Sequence, residues 1–281
     1  MSNGKENMTV LIKYPRTTKS NVKYFTERKD EELTNLDWAK WAGWFDTDGS
    51  FSVNGKKTND YKCSLFLKDR SPVELFSKTF ETSLRYDEHK TKPPKHKILQ
   101  YPHYKDKVYI AKEYKATFQQ KDKCIWFTEN VYPFLLKPEK KEYALKILGY
   151  TPESKNFSDW TEQELIHYMA TACEGDGNFN LIKNKNDYSL NLTIGSSDSE
   201  YLSLIKYIIE QKFNIKENIP LNENRVYVTE EGEKTEYILR LYVKSKSPLN
   251  YLIKKFSEDN VMTLDRKKQI VNDYLKFSNL Q

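Results

Sequence analysis

Hydrophobic and polar positions near the start of the chain follow first a helical pattern and then an alternating one. The apolar segment LDWAKWAGWF (36–45) is typical of a buried helix, and Thr34 or Asn35 is suited to cap its N-terminus. In NDYKCSLFL (59–67) apolar and polar residues alternate, which predicts a half-buried strand. The elements predicted after it are an amphipathic helix over 71–80, a strand over 107–118 and helices near 122–149.

The same succession returns about 128 residues later. The segment WTEQELIHYMATACEGDGNF begins with Thr161, and Glu164 follows three residues on, which is the capping-box pattern of a helix start. The further elements predicted here are a strand over 186–194, a helix over 199–213, a strand over 236–245 and helices over 248–278. The residues that match at this offset are Ala42 with Ala170, Asp46 with Glu174, Asp48 with Asp176, Gly49 with Gly177, and Phe51 with Phe179.

This repeat predicts an α+β fold built from two tandem halves. Each half has the order αββαββα, and a duplicated unit implies a pseudo-two-fold axis that sets matching positions opposite each other. We expect an N-terminal extension over 1–33, a first half over 34–150, a linker over 151–158 and a second half over 159–281. The first half carries a longer insertion, rich in Lys, Pro and His, around 87–106.

Composition narrows the class of protein but does not decide it. Among 281 residues, 46 Lys and Arg face 40 Asp and Glu, and aromatic residues make up 14%. Such a mixture suits a surface that contacts nucleic acid, although a Lys- and Tyr-rich composition also arises without one. Three widely spaced cysteines form no CxxC pattern, and no secretory signal or membrane-length apolar run is present. We therefore expect an intracellular protein, in an organelle or in a bacterial or phage cytoplasm.

Each of the two repeated helices ends in two carboxylates and a glycine. The ends read WAGWFDTDG and MATACEGDG, and both contain small residues that let two helices approach closely. A carboxylate at a helix C-terminus opposes the helix dipole at a cost of roughly 0.3–1 kcal/mol. If the helices pack about the pseudo-axis, four carboxylates converge, and a hard divalent cation such as Mg²⁺ would resolve the repulsion. The alternative is a DG turn in which each Asp points into water.

WAGWFDTDG resembles the LAGLIDADG motif, and MATACEGDG resembles a second, more degenerate copy. Over residues 34–278 the chain therefore resembles the single-chain LAGLIDADG homing endonucleases. The resemblance implies two saddle-shaped antiparallel sheets packed through the motif helices. It also implies a monomer that cuts double-stranded DNA across the minor groove, at a site of roughly 20 base pairs, and leaves 3′ overhangs.

The resemblance also assigns the metal ligands and the supporting basic residues. Asp48 and Asp176 would bind Mg²⁺ or Mn²⁺, helped by the carbonyls of Thr47 and Gly175, whereas Ca²⁺ is expected to bind without supporting cleavage. A basic residue usually precedes the closing helix of each half; LLKPEKK and TLDRKK offer Lys137 or Lys140 and Arg266 or Lys267. Our choices are Lys137 and Lys267 as phosphate-stabilising residues. The alternative is that they are solvated residues beside a helix start.

The sequence departs from the family pattern at a few positions. Thr171 stands where the motif usually has glycine, which is expected to loosen the helix packing. Where the family often carries a polar Gln that orders solvent, this chain has Leu67 in one half and Ile194 or Ser196 in the other.

Strand parity identifies the residues expected to face DNA. If Cys63, Leu65 and Leu67 face the core, their neighbours point outward, where polar side chains can contact base edges and phosphates. An ordinary polar sheet face is the alternative. The predicted DNA-binding residues are Ser52, Asn54, Lys56, Lys62, Ser64, Lys68, Asn180, Asn184, Asn191, Thr193, Arg240 and Lys244.

Two other functions fit the same fold. One is an RNA maturase that assists intron splicing, which would bind RNA even without Asp48 and Asp176. The other is a DNA-binding protein that no longer cleaves, which the presence of both acids disfavours.

Overall fold

The computed structural model describes residues 33–54, 60–93, 107–153, 155–184, 187–229 and 232–278. Leu33–Gln281 forms one compact unit. Most of the predicted N-terminal extension, and Lys56, lie outside the described residues. None of the described helices is both long enough and apolar enough to cross a bilayer.

The first half has the predicted order of elements, and the helices predicted near 122–149 are two in number. A short 3₁₀ turn, Tyr132–Phe134, separates its two closing helices. The elements are α1 (Asn35–Thr47), β1 (Gly49–Asn54), β2 (Asp60–Leu67), α2 (Arg70–Thr79), β3 (Leu84–Thr91), β4 (Tyr109–Phe118), α3 (Lys121–Val131) and α4 (Pro138–Leu148).

The second half repeats this order. Its second helix ends in a π turn, Ile208–Lys212, so the α-helix is shorter than the predicted 199–213. The elements are α5 (Glu162–Asp176), β5 (Gly177–Asn184), β6 (Asp187–Ser196), α6 (Ser199–Tyr207), β7 (Leu221–Thr229), β8 (Gly232–Lys244), α7 (Leu249–Phe256) and α8 (Asp265–Ser278).

Each half contains one four-stranded antiparallel sheet. The strand orders are β1-β2-β4-β3 and β5-β6-β8-β7, so the central pair in each sheet is formed by strands that are not consecutive along the chain. Cys63 and Leu65 are fully buried, as the alternating pattern predicts. Phe51 pairs with Cys63 and Phe179 pairs with Leu192, so Leu192 and Ile194 are the buried residues at the corresponding places. This parity leaves the opposite face of each sheet free of the core.

Both motif helices begin with the caps that the sequence predicts. The Thr34 hydroxyl accepts the Asp37 N–H, and the Asp37 carboxylate accepts the Thr34 N–H. Thr161 and Glu164 form the same reciprocal pair at the start of α5. Each capping box satisfies two N–H groups that the first helical turn leaves without partners.

The two motif helices, α1 and α5, pack directly against each other along a seam of small residues. A Cβ atom at Gly43 would overlap the Thr171 hydroxyl and the Tyr168 carbonyl, so the absent side chain is what permits the contact. Thr171 is fully buried, and its hydroxyl donates a hydrogen bond to the Lys40 carbonyl across the seam at 2.9 Å. The expected loosening at Thr171 is therefore wrong: the threonine fills the space left by Gly43 and bridges the helices.

The predicted linker begins just after the end of α4. Gly149 adopts a left-handed conformation with φ of 73°, which favours glycine, and its N–H donates to the Leu145 carbonyl at 2.8 Å. Beyond it, Lys155 forms an ion pair with the buried Glu164 at 2.7 Å, and Trp160 packs on Phe134 and Tyr168. The linker is thus held against the motif helix that follows it.

Replacing Gly43 tests whether the seam tolerates a side chain. We expect Gly43→Ala to lower the free energy of unfolding by about 1–3 kcal/mol, because the new methyl group meets backbone atoms of α5 that cannot move independently. Urea unfolding followed by circular dichroism measures this. The matched control is Gly195→Ala, whose Cβ would meet nothing closer than 3.7 Å. Equal effects of the two substitutions would contradict the packing constraint.

Candidate functional site

The C-terminal ends of α1 and α5 lie side by side and bring Asp48 and Asp176 together. Asp48 is the C-cap of α1, and its N–H donates to the Trp44 carbonyl at 2.9 Å. Gly175 gives this end the same close fit that Gly43 gives the seam: a Cβ there would overlap the Thr47 side chain and Asp48 Oδ2. The Asp48 carboxylate is thereby set against the end of the opposite helix.

Asp48 carries a carboxylate in an unfavourable environment. Its Oδ2 atom is buried and has no hydrogen-bond partner among the described residues. Burial and, to a smaller extent, the Asp176 carboxylate raise the pKa of Asp48 to about 6, while Lys267 and Lys140 oppose the shift. The Asp48 carboxylate is therefore less stable as an anion than an ordinary aspartate, and added positive charge would stabilise its ionised form.

Asp176 has a cationic partner that comes from the other half of the chain. Lys137 Nζ lies 3.3 Å from Asp176 Oδ2, and both side chains are largely shielded from solvent. The same ammonium group sits 4.9 Å from the centroid of the Tyr201 ring. The predicted basic residue of the first half therefore lies beside the acid of the second half.

Lys267, the predicted basic residue of the second half, is buried at the end of α5. Its ammonium group donates to the carbonyls of Glu174, Gly177 and Cys173. Burial lowers the pKa of Lys267 to about 8, and the charges of nearby acids, Asp48 among them, oppose this shift. Its charge thus acts on the acid of the first half.

Lys140 is a functional candidate that we did not select from the sequence. It stands third in α4, as Lys267 does in α8, and it donates to the Gly49 carbonyl as Lys267 does to Gly177. Lys140 is therefore the counterpart of Lys267, and Lys137 has no equivalent in the second half. Counting positions from the start of each closing helix would have identified this pair.

The first acidic residue of each motif does not join the cluster, so the expected convergence of four carboxylates is wrong. Asp46 is fully buried, and its Oδ2 accepts hydrogen bonds from the Leu136 N–H at 2.7 Å and the Tyr168 hydroxyl at 2.5 Å. Burial raises the pKa of Asp46 to about 6, and the hydrogen bonds from Tyr168 and Leu136 oppose the shift. Asp46 thus holds the segment that carries Lys137.

Glu174 performs the same task in the second half. Its carboxylate accepts the N–H groups of Thr263 and Leu264 at 2.8 and 2.5 Å, and the Thr263 hydroxyl at 3.0 Å. Trp44 of the opposite motif helix donates to that same hydroxyl at 3.2 Å. Burial raises the pKa of Glu174 to about 7. Glu174 therefore positions the start of α8 and, through it, Lys267.

The remaining donor set fits a hard divalent cation in part. Mg²⁺ prefers oxygen ligands. The site offers the oxygens of two carboxylates and the backbone carbonyls at two helix ends. Within the described ranges, no group of three or more His, Cys, Asp or Glu side chains is placed to hold an ion. The described side chains alone thus provide fewer ligands than such an ion needs.

The positions at which the family often carries a solvent-ordering Gln offer little here. Ile194 is buried, and the Ser196 hydroxyl is occupied by the Asp198 N–H at 3.1 Å. Leu67, the matching residue of the first half, has no polar atom in its side chain. Neither position therefore supplies a side-chain amide of the kind that the family often carries.

The outer sheet faces carry most of the predicted DNA-binding residues, with one exception. Ser52, Lys68, Asn180, Arg240 and Lys244 are exposed, while Lys62, Asn191 and Thr193 are half-buried. Ser64 is buried, and its hydroxyl is hydrogen-bonded to that of Thr117 at 3.0 Å, so the expectation that it is free to contact DNA is wrong. The side chains of Asn54 and Asn184, and all of Lys56, lie outside the described residues.

The fold is similar to that of solved structures. The LAGLIDADG meganuclease I-AabMI, bound to uncleaved DNA, superimposes with a TM-score of 0.52 at 13% sequence identity, over 86% of this chain and 90% of that one. The chain has the fold of the LAGLIDADG homing endonucleases. I-GzeII in complex with its DNA target gives a TM-score of 0.49 at 14% identity, over 89% of this chain and 91% of that one. No family model matches the sequence, and no curated protein is similar to it at a significant level.

In the LAGLIDADG fold, α1 and α5 are the two motif helices. The close pairing of their C-terminal ends is therefore the feature that places Asp48 beside Asp176 in this chain. The buried Asp46 and Glu174 are the first acids of the two motifs, and they connect each motif helix to the closing segment of its own half.

Removing Glu174 tests its role in holding the closing segment. At pH 7 we expect Glu174→Ala to lower the free energy of unfolding by about 1–3 kcal/mol, because two buried N–H groups lose their acceptor. Urea unfolding measures the change. Gln163→Ala, an exposed substitution in the same helix, should stay within about 0.5 kcal/mol of the parent. An equally small effect at Glu174 would contradict the assignment.

The raised pKa of Glu174 predicts how stability depends on pH. Because the folded pKa of about 7 exceeds the ordinary value of 4.5, the folded state binds more protons between these limits. Stability therefore falls as pH rises through this window, by on the order of 2 kcal/mol between pH 5 and pH 8. Urea unfolding at several pH values, in EDTA, should show a shallower dependence in Glu174→Ala than in the parent. Parallel curves would refute the prediction.

Proposed function

We propose that this chain is a site-specific endonuclease that cuts both strands of double-stranded DNA with the help of a divalent metal, Mg²⁺ or Mn²⁺. The observation that carries the proposal is the pairing of Asp48 and Asp176 at two adjacent helix ends, with the buried Asp48 Oδ2 lacking a partner. Two strands require two reaction centres, and the duplicated motif provides one acid for each. The fold shared with DNA-bound I-AabMI is consistent with this function.

Asp48 and Asp176 would hold the metal, with the carbonyls of Thr47 and Gly175 as further ligands. A bound divalent ion would supply an acidified water and positive charge at the scissile phosphate. Because the described side chains leave the ligand set incomplete, phosphate oxygens and water would complete it. The site is then fully assembled only when DNA is bound.

The lysines would balance the charge that builds up on phosphate. Lys137 lies at the Asp176 carboxylate, and Lys267 and Lys140 are anchored on the carbonyls that follow the two motifs. Positive charge fixed in advance at this place stabilises a developing negative charge without reorganisation. Arg240 and Lys244 on the outer face of the second sheet would contact the DNA backbone, so affinity should fall as salt rises.

The cut would fall across the minor groove and leave 3′ overhangs, with one monomer covering both half-sites. The alternatives are an RNA maturase and a DNA-binding protein without cleavage activity. Nothing in the site favours them specifically: a protein that does not cleave has no need of two adjacent, partly desolvated carboxylates. RNA binding that survives the loss of both acids would favour the maturase.

A cleavage assay on a target library tests the proposal. In Mg²⁺ we expect the parent protein to cut both strands of a subset of targets. Asp48→Asn and Asp176→Asn should each slow double-strand cleavage by at least about 100-fold, because one reaction centre loses its metal ligand. Nicked product or no product should remain.

The control is Asp122→Asn, which removes an exposed carboxylate from α3 and should cleave like the parent. Binding in Ca²⁺ should persist in all the variants, which separates a loss of chemistry from a loss of fold. If the parent cuts nothing, or if both acid variants cut both strands normally, the nuclease function is wrong.

A further inference from the structure

The two sheets carry different chemistry at equivalent places on their outer faces. Beside the acid of the first half, β1 presents Ser50 and Ser52; at the same places β5 presents Asn178 and Asn180. The strand register supports this matching, because Ser52 pairs with Lys62 and Asn180 pairs with Asn191. A hydroxyl-bearing strand in one half thus corresponds to an amide-bearing strand in the other.

The amides of the second sheet form rows with other polar residues. Directly opposite residues share a face, so Asn180, Asn191 and Tyr242 make one row across three strands. Asn178, Thr193 and Arg240 make the row nearer the motif. The intervening residues Phe179, Leu192 and Leu241 are buried, which confirms that the rows lie on the side away from the core.

Some polar groups within each sheet bond to one another, but three amides of the second sheet do not. Ser64 is bonded to Thr117, and Lys62 forms an ion pair with Asp60 at 2.6 Å. In the part of the chain that the structure describes, no hydrogen bond is made by the side-chain amides of Asn178, Asn180 and Asn191. Glu236, on the same face as Arg240, is neutralised by Arg225 at 2.7 Å. Among the described residues, the second sheet thus offers amides that are free to bind a ligand.

We propose that the second sheet reads adenines, and that the half-site it contacts is rich in A·T pairs next to the cut. A side-chain amide donates one hydrogen bond and accepts another, which matches adenine N7 and N6 in the major groove. A serine hydroxyl makes a single bond with either kind of base edge, so the first sheet lacks this preference at the matching positions. The inference rests on the proposed DNA-binding function and adds a base preference to it.

Strand geometry sets the spacing of the preferred bases. Residues two apart on a strand are separated by about 6.8 Å, which equals two base-pair steps of about 3.4 Å. Asn178 and Asn180 would therefore contact positions about two base pairs apart along the groove. Asn191, on the neighbouring strand, adds a contact in the Asn180 row.

Selection of bound sequences from a randomised duplex library tests the proposal. The full chain is used in Ca²⁺ without Mg²⁺, so that binding is measured apart from cleavage. We expect the selected sites to be enriched in adenine in one half-site only. Asn180→Ala should remove the adenine preference at its position and weaken binding to the selected site by about 5- to 100-fold.

The matched control is Ser52→Ala, the equivalent exposed position of the first sheet. It should leave that adenine preference unchanged, and thermal melting should show that both variants are folded. The proposal is overturned if the position altered by Asn180→Ala selects a G·C pair, or if no position responds to that variant. Failure to select any sequence would instead contradict the proposed DNA-binding function.

Discussion

The close contact between the two motif helices is the constraint on which the rest of this structure depends. Gly43 and Gly175 remove side chains where the helices meet, and the space is taken by Thr171 and Thr47. Because the helices approach this closely, their C-terminal ends bring two carboxylates into one desolvated place. The electrostatic conflict between Asp48 and Asp176 is thus a consequence of packing, and the nearby lysines and a bound cation would relieve it.

The buried acids Asp46 and Glu174 connect the motif helices to the closing helices of each half. Asp46 and Glu174 accept backbone N–H groups from the segments that lead into the closing helices, and each also contacts the opposite half through Tyr168 or through Trp44 and Thr263. Burying a carboxylate is costly unless hydrogen bonds offset the loss of water. The bonds here offset part of that cost, since the pKa of each acid remains raised, and they fix the helices that carry Lys140 and Lys267.

The sequence pattern predicts those features of the fold that depend on neighbouring residues alone. Alternation identified the buried faces of β2 and β6, and cap residues located the starts of α1 and α5. The pattern does not predict the contacts that a side chain makes with residues distant in the sequence. Asp46 and Asp48 look equivalent in WAGWFDTDG, yet one faces the Leu136 backbone and the other faces the second helix. The alternation places Ser64 on the outward face of its strand, but its hydroxyl is hydrogen-bonded to Thr117 on another strand. The periodicity of the sequence does not predict this contact.

The seam also shows how far the two copies have diverged from each other. Gly43 and Thr171 occupy matching positions of the repeat, as do Thr47 and Gly175, and in each pair the glycine of one copy receives the threonine of the other. A symmetric dimer of second halves would set Thr171 against Thr171, and one of first halves would set Thr47 against Thr47. Each such pair would place two threonine side chains where the seam now has one threonine and one glycine. Two copies of the same half would therefore pack less closely at these positions than the two different halves do.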